Sequence, residues 1–320
     1  MAPRRTDPVA LVEAVRSGDR GALARALSVI ERGGADAREV GRLAFPFGGG
    51  CYTLGVTGAP GAGKSTLTSA LLGVVRSAQL EVAVLAIDPS SPFTGGAILG
   101  DRVRMQEHAL DPGVFIRSMA TRGHLGGLAL ATPQAVRVLD AAGVDWVVVE
   151  TVGVGQVEVE VAGAADTTLV VVNPGWGDAV QANKAGLLEV ADLFVINKAD
   201  RPGAADTRRD LDTMLDLSGP PAGGWRPPIL ETVAGTGQGV EAVWETVLAH
   251  RAHLDTTGEL ARRRGRRLSE ELRAIVARRL EERALGVASG ATFEHLHAEV
   301  LARRLDPYTA ADTLLCEMSN

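Results

Sequence analysis

Residues 58–65 read GAPGAGKS, which sets two glycines, a lysine and a hydroxyl at the spacing GxxxxGK[ST]. The chemistry of that spacing is phosphate binding. Glycines let consecutive backbone N–H groups turn inward around an anion, at a helix N-terminus whose dipole favours negative charge. Lys64 is expected on the β- and γ-phosphates, and the Ser65 hydroxyl is a ligand for Mg²⁺. An apolar strand candidate (52–57) runs into the loop, and a helix carrying Leu67, Leu71 and Leu72 runs out of it. Gly58, Ala59, Pro60, Gly61, Ala62, Gly63, Lys64, Ser65 and Thr66 are therefore the expected phosphate cradle. The loop does not say which base the nucleotide carries, nor what its hydrolysis achieves.

The base is read further along. Asn197-Lys198-Ala199-Asp200 follows the apolar run LFVIN. A carboxylate at Asp200 can accept two hydrogen bonds from guanine N1–H and N2–H₂. Adenine offers neither, and an unpaired carboxylate would penalise it by about 2 kcal/mol or more. The motif alone is a weak four-letter match; downstream of a phosphate loop and on a strand end it points to GTP and GDP. Thr232, Val233 and Ala234 fall where a further guanine-contacting loop belongs.

Three carboxylates are candidates for the metal and the hydrolytic water. Asp88 ends the run VAVLAI and Glu150 ends WVVVE, both at strand ends where an open α/β sheet binds ligands. Asp101, in GGAILGDRVRM, reaches Mg²⁺ only if its loop folds over the phosphates, as a switch loop does. After Glu150, Gly153 gives the backbone freedom to approach a γ-phosphate and Gln156 can orient water. Lys64, Glu150 and Asp101 are the expected catalytic set, and Ser65, Asp88, Asp101 and Glu150 the expected metal set. His108 and His124 are isolated and read as surface or packing residues.

The elements that must position these residues are legible as a pattern. Apolar runs at 52–57, 82–87, 114–116, 146–150, 168–172, 193–197 and 229–233 are mostly continuous rather than alternating, as in strands covered on both faces. Helical segments separate most of them, which implies an α/β fold with a mostly parallel central sheet. Thr132-Pro133 reads as a capped helix start. Residues 1–45 form an N-terminal helical segment, with Asp7 and Asp19 as N-caps and Gly33-Gly34 as a stop. Residues 46–250 carry the strand–helix repeat. Residues 251–320 turn charged and helical, and Leu268, Leu272, Ile275, Val276 and Leu280 make an apolar stripe there that a partner subunit could cover.

Bulk properties exclude several classes. The chain has 320 residues, 46% hydrophobic, with a net charge of −6, so no general affinity for nucleic acid or anionic membrane is implied. The arginine run at 262–267 reads as a face that is solvated or paired with the acidic residues that follow it. Two cysteines far apart support neither a disulfide framework nor a local zinc site. No apolar run approaches a membrane span and no signal peptide is visible, so a cytoplasmic location is expected.

The stretches GVTGAPGAGKSTL, AIDPSSPFTGGAILGDRVRM, TRGHLGG, VVETVGVGQVEVE and VINKAD together resemble the MeaB/ArgK family of P-loop GTPases, over nearly the whole chain. The resemblance implies a GTPase fold with a C-terminal helical dimerisation arm and a homodimer. It implies a chaperone of an adenosylcobalamin-dependent acyl-CoA mutase, typically methylmalonyl-CoA mutase, working with a cobalamin adenosyltransferase. It places Lys64 and Ser65 in the phosphate and Mg²⁺ roles. Asp88, Asp101 and Glu150 fall on the metal and switch carboxylates, and Asn197, Lys198 and Asp200 on the guanine contacts. A third switch-like loop keeps Asp178, Gln181 and Lys184, but Trp176, Ala179 and Val180 depart from the family pattern, so the partner could be a different acyl-CoA mutase. A kinase and a nickel-insertion GTPase are the competing expectations; the latter usually carries a Cys/His element that this chain lacks.

Overall fold

The computed structural model describes residues 7–89, 105–108, 110–121, 125–151, 163–175, 189–217, 224–287 and 290–317. Seven strands form one all-parallel sheet: β1 (Tyr52–Gly58), β2 (Val82–Pro89), β3 (Val114–Thr121), β4 (Trp146–Thr151), β5 (Thr167–Val172), β6 (Leu193–Asn197) and β7 (Ile229–Thr232). Their order across the sheet is β3-β2-β4-β1-β5-β6-β7. Each expected apolar run is a strand. β1 lies in the middle, between β4 and β5, so the chain leaving its carboxyl end emerges at the centre of that edge.

The continuous apolar runs have a direct cause. Successive side chains point to opposite faces, and both faces are covered. Val147 and Val149 of β4 join one apolar cluster, while Trp146 and Val148 join the other. The first cluster is capped by α1 (Pro8–Arg16), α2 (Arg20–Arg32), α3 (Gly34–Ala44) and α5 (Leu125–Ala141). The second is capped by α4 (Lys64–Ser77) and α7 (Val240–Thr256). A third, under β5 and β6, is closed by α6 (Ala204–Leu217).

The N-terminal helices begin as expected. Asp7 accepts from Val9 N at 3.0 Å with Pro8 at the first helical position, and Asp19 accepts from Ala22 N at 3.0 Å. One expectation fails. α5 does not start at Thr132-Pro133; it starts at Leu125 and Pro133 lies inside it. The Thr132 hydroxyl is buried and makes no hydrogen bond among the described residues, so it does not act as a cap. A proline removes one intrahelical bond, a loss that α5 offsets by packing Ala135, Val138 and Leu139 into the first cluster.

The chain divides into two compact units, Met1–Arg267 and Leu268–Asn320. The helix α8 (Glu259–Val287) contributes to both, and α9 (Ala291–Leu301) and α10 (Pro307–Glu317) complete the second. Asp306 opens α10 by accepting from Tyr308 N and Thr309 N. Leu268, Leu272, Val276 and Leu280 of α8 are exposed.

The arginine run pairs differently from the sequence expectation. Arg263 reaches both carboxylate oxygens of Asp192, at 3.0 and 2.9 Å. Arg264 and Arg267 both bind Asp166, and Arg264 also donates to the carbonyls of Gly49 and Cys51. Arg262 and Arg266 pair with the preceding Glu259 rather than with the acids that follow. Helical periodicity decides this: residues 263, 264 and 267 share one face, which meets the amino ends of β5 and β6.

Candidate functional site

Those expected site residues that the structure describes lie at the carboxyl edge of the sheet, where β1, β4, β6 and β7 end. Gly58 closes β1 with φ 131°, and a Cβ there would overlap the carbonyl oxygen of Val171 on β5. The strand can leave the sheet at this point only without a side chain. Gly63 is the N-cap of α4 at φ 91°, and a Cβ on it would overlap the side-chain amide of Asn197. Between them, residues 59–62 form a turn with Ala62 N donating to Ala59 O at 3.2 Å.

Lys64 and Ser65 are the first residues of α4 and both are buried. The Lys64 ammonium donates to the carbonyl oxygens of Gly58 at 2.7 Å and Ala59 at 3.0 Å, which folds the side chain back over its own loop. Ser65 Oγ donates to Glu150 Oε1 at 2.5 Å. Glu150 sits on β4, level with Val56 of β1 and Ala86 of β2, and is only 1% exposed. A carboxylate this deep needs compensation by donors or a cation. Hydroxyl and carboxylate oxygens together are the hard donor set that Mg²⁺ prefers, with phosphates and water completing an octahedron. The residues present therefore fit Mg²⁺. Asp88 lies on β2, paired in register with Ala120. Asp101, Gly153, Gln156, Asp178, Gln181 and Lys184 lie outside the described residues, as does His124. His108 is half-buried and bonds the Ser69 carbonyl at 2.8 Å, a packing role.

The NKAD turn is joined to the phosphate loop. Asn197 ends β6 and is 2% exposed. Its amide donates to Ala62 O at 2.8 Å, and its oxygen accepts from Thr232 Oγ1 and Ala234 N, each at 3.1 Å. Lys198 takes the left-handed conformation, φ 60°, rare for a residue with a Cβ, and its ammonium donates to Gly61 O at 2.7 Å. Ala199 N donates to Thr232 O, so Asp200 is carried past the strand end and left exposed. Residues 233–238 form a small loop closed by a bridge between Val233 and Gln238. The structure thus brings together the phosphate loop, NKAD and Thr232–Ala234. Sequence reasoning gave Asn197 a base-reading role and missed its function as a tie. No local sequence signal marks that tie, because Ala62 lies 135 residues away in the chain.

Comparison with known proteins agrees with this geometry. The family model described as "Methylmalonyl Co-A mutase-associated GTPase MeaB" matches residues 23–289. The chain belongs to the MeaB/ArgK family of GTPases. A Pyrococcus abyssi protein provisionally named a GTPase is 49% identical over 310 residues, 96% of each chain. GTPase ArgK of Escherichia coli is 38% identical over 82% of this chain and 81% of its own. The crystal structure of an LAO/AO transport system kinase has TM-score 0.72 and 27% identity, covering 98% of both chains. Membership of a GTPase family implies that the chain binds GTP.

Proposed function

We propose that this GTPase uses Mg²⁺-dependent hydrolysis of GTP to time cofactor loading and protection of an adenosylcobalamin-dependent acyl-CoA mutase. The observation that carries the reading is the Asn197 tie. One side chain spans the phosphate loop, the NKAD turn and the Thr232–Ala234 loop, so base recognition and phosphate geometry move as one body. That suits a sensor of nucleotide state better than a general phosphoryl-transfer site.

Gly58 to Thr66 cradle the phosphates, and Lys64 balances their charge. Asp200 reads guanine from its exposed position, with Lys198 flanking. Ser65 and Glu150, with Asp88 of β2 and with Asp101, would hold Mg²⁺. When bound, the ion neutralises charge that develops on the β- and γ-oxygens. Gly153, Gln156, Asp178, Gln181 and Lys184 are assigned to loops that respond to the γ-phosphate and report it to the partner. The name of the matching family model and a mouse relative named methylmalonic aciduria type A homolog, 36% identical over 67% of this chain and 52% of its own, support methylmalonyl-CoA mutase or a close relative as that partner. A cobalamin adenosyltransferase supplies the cofactor in this scheme. The exposed leucines of α8 support a homodimer, and the assembly works in the cytoplasm.

The test is GTP turnover by the full chain, alone and with methylmalonyl-CoA mutase holoenzyme. Acceleration by the mutase, with nucleotide-dependent cobalamin loading, is the expected result. Unchanged turnover and unchanged loading would overturn the reading. A labelled phosphate found on any acceptor other than water would favour a kinase instead.

A further inference from the structure

Away from the nucleotide site, α2 runs beside the edge strand β3. Ala24, Arg25, Ser28, Val29 and Arg32 of α2, with Arg117 of β3, line a groove of about 350 Å³. The spacing explains it. Positions 24, 28 and 32 share a helix face, and the small side chains of Ala24 and Ser28 leave space that the two arginines border. Val29 is buried and belongs to the core beneath.

The charges around this groove are incompletely matched. Arg117 Nη2 donates to Ser28 Oγ at 3.0 Å and Glu31 Oε2 at 2.7 Å, while its Nε–H is buried with no hydrogen-bond partner among the described residues. Arg25 stands 3.7 Å from Asp19, whose other carboxylate oxygen already caps α2. Arg32 is exposed and makes no ion pair among the described residues. Three guanidiniums thus face two carboxylates, on a chain whose net charge is −6. An oxyanion is the group whose geometry a guanidinium fork matches.

The site is separate from the phosphate loop. Arg117 lies mid-strand, level with Leu85 of β2, and β2 and β4 stand between β3 and β1. We propose that this groove is a second anion site, binding the phosphate or carboxylate group of a small metabolite through Arg25, Arg32 and Arg117. Its volume admits a molecule of several heavy atoms.

Calorimetry on the full chain, with the nucleotide site filled by excess GDP and ionic strength held constant, tests this. The probes are inorganic phosphate, glycerol 3-phosphate and succinate. At least one should bind, and the double variant Arg25→Ala/Arg32→Ala should weaken it by about tenfold or more, as loss of charge-assisted bonds requires. A preference for glycerol 3-phosphate or succinate over inorganic phosphate supports a metabolite; equal binding of inorganic phosphate supports an oxyanion site filled by free phosphate. GTP turnover of the double variant should equal that of the native chain, which separates this inference from the hydrolytic reading. The proposal is overturned if no probe binds, or if the double variant binds the probes as the native chain does.

Discussion

The side-chain amide of Asn197 donates to the carbonyl of Ala62 at 2.8 Å, and the same side chain accepts from the backbone of Ala234 at 3.1 Å. One buried residue therefore bolts the phosphate loop to the loop that follows β7. Its geometry makes nucleotide affinity and fold stability partly one property.

Asn197→Ala should lower both. It removes the hydrogen bonds to Ala62, Gly63, Thr232 and Ala234 and leaves the Ala234 N–H without its acceptor, at about 1–3 kcal/mol for a buried unsatisfied group. Thermal melting should show the loss without nucleotide, and GDP binding should weaken in addition. If melting is unchanged while GDP affinity falls, Asn197 acts on the base alone and the tie is irrelevant.

Glycines in the loop should separate by what surrounds them. Gly63→Ala drives a methyl group into the Asn197 amide at φ 91°, and Gly58→Ala drives one into the Val171 carbonyl. Gly61 also has positive φ, 73°, but a methyl there meets nothing within 4 Å. Gly61→Ala should cost only the left-handed penalty of roughly 1–2 kcal/mol. The other two should cost more and abolish nucleotide binding. Equal stability of all three variants would refute the steric argument.

Ser65→Ala should raise the Mg²⁺ concentration needed for half-maximal turnover, because it deletes the oxygen proposed to hold the ion and the 2.5 Å bond to the Glu150 carboxylate. Ser65→Thr keeps the oxygen and should retain most activity. A magnesium titration of steady-state GTP hydrolysis reads both. An unshifted requirement in Ser65→Ala would place the ion elsewhere.

Much of this was legible beforehand because it is local. Seven apolar runs of strand length, each followed by turn residues, specify a covered parallel sheet. GxxxxGKS and NKAD name their ligands through fixed short spacings. What stayed hidden depends on distance in the chain. Nothing near Arg264 announces Asp166, and nothing near Asn197 announces Ala62; both pairings arise only when the sheet aligns strand ends. The same limit applies to α5. Thr132-Pro133 has the composition of a helix start, and nothing in that pair announces the helical turns from Leu125 that precede it.

His250 should make stability fall in mild acid. It is fully buried on α7, with Nδ1 bonded to Thr167 Oγ1 at 2.8 Å, and Tyr52 bonds that same hydroxyl at 2.7 Å. Burial lowers its pKa to about 4, against the opposing pull of Asp192 and with Arg263 and His253 adding to the depression. The unfolded chain takes up this proton near pH 6.5, so between about pH 6.5 and 4 it binds more protons than the folded chain. Stability from this residue is complete above the unfolded value and is lost as pH falls through the folded one. His250→Gln should flatten the pH dependence of Tm in that window, at the expense of a lower Tm at pH 8. An identical slope in the variant would assign acid sensitivity to other groups.

The sharpest contrast in stability should lie within the arginine run. Asp166 is 1% exposed and sits at the amino end of β5, bonded to Thr53 N at 3.0 Å. Burial alone would lift its carboxyl, yet Arg264 and Arg267 together hold it below the ordinary carboxylate value. Arg264→Ala leaves that buried charge half-compensated and frees the carbonyls of Gly49 and Cys51, so about 3–5 kcal/mol of destabilisation is expected. Arg262→Ala, two positions earlier, breaks an exposed pair with Glu259 and should cost under about 1 kcal/mol. The two variants remove the same side chain and the same charge, so composition and net charge are controlled. Adding Asp166→Asn to Arg264→Ala should recover part of the loss, because the uncompensated charge is then gone, whereas adding it to Arg262→Ala should destabilise further. Chemical denaturation of the four variants measures the coupling. Equal losses for Arg264→Ala and Arg262→Ala, with no recovery in the double variant, would mean that the run is a solvated face after all.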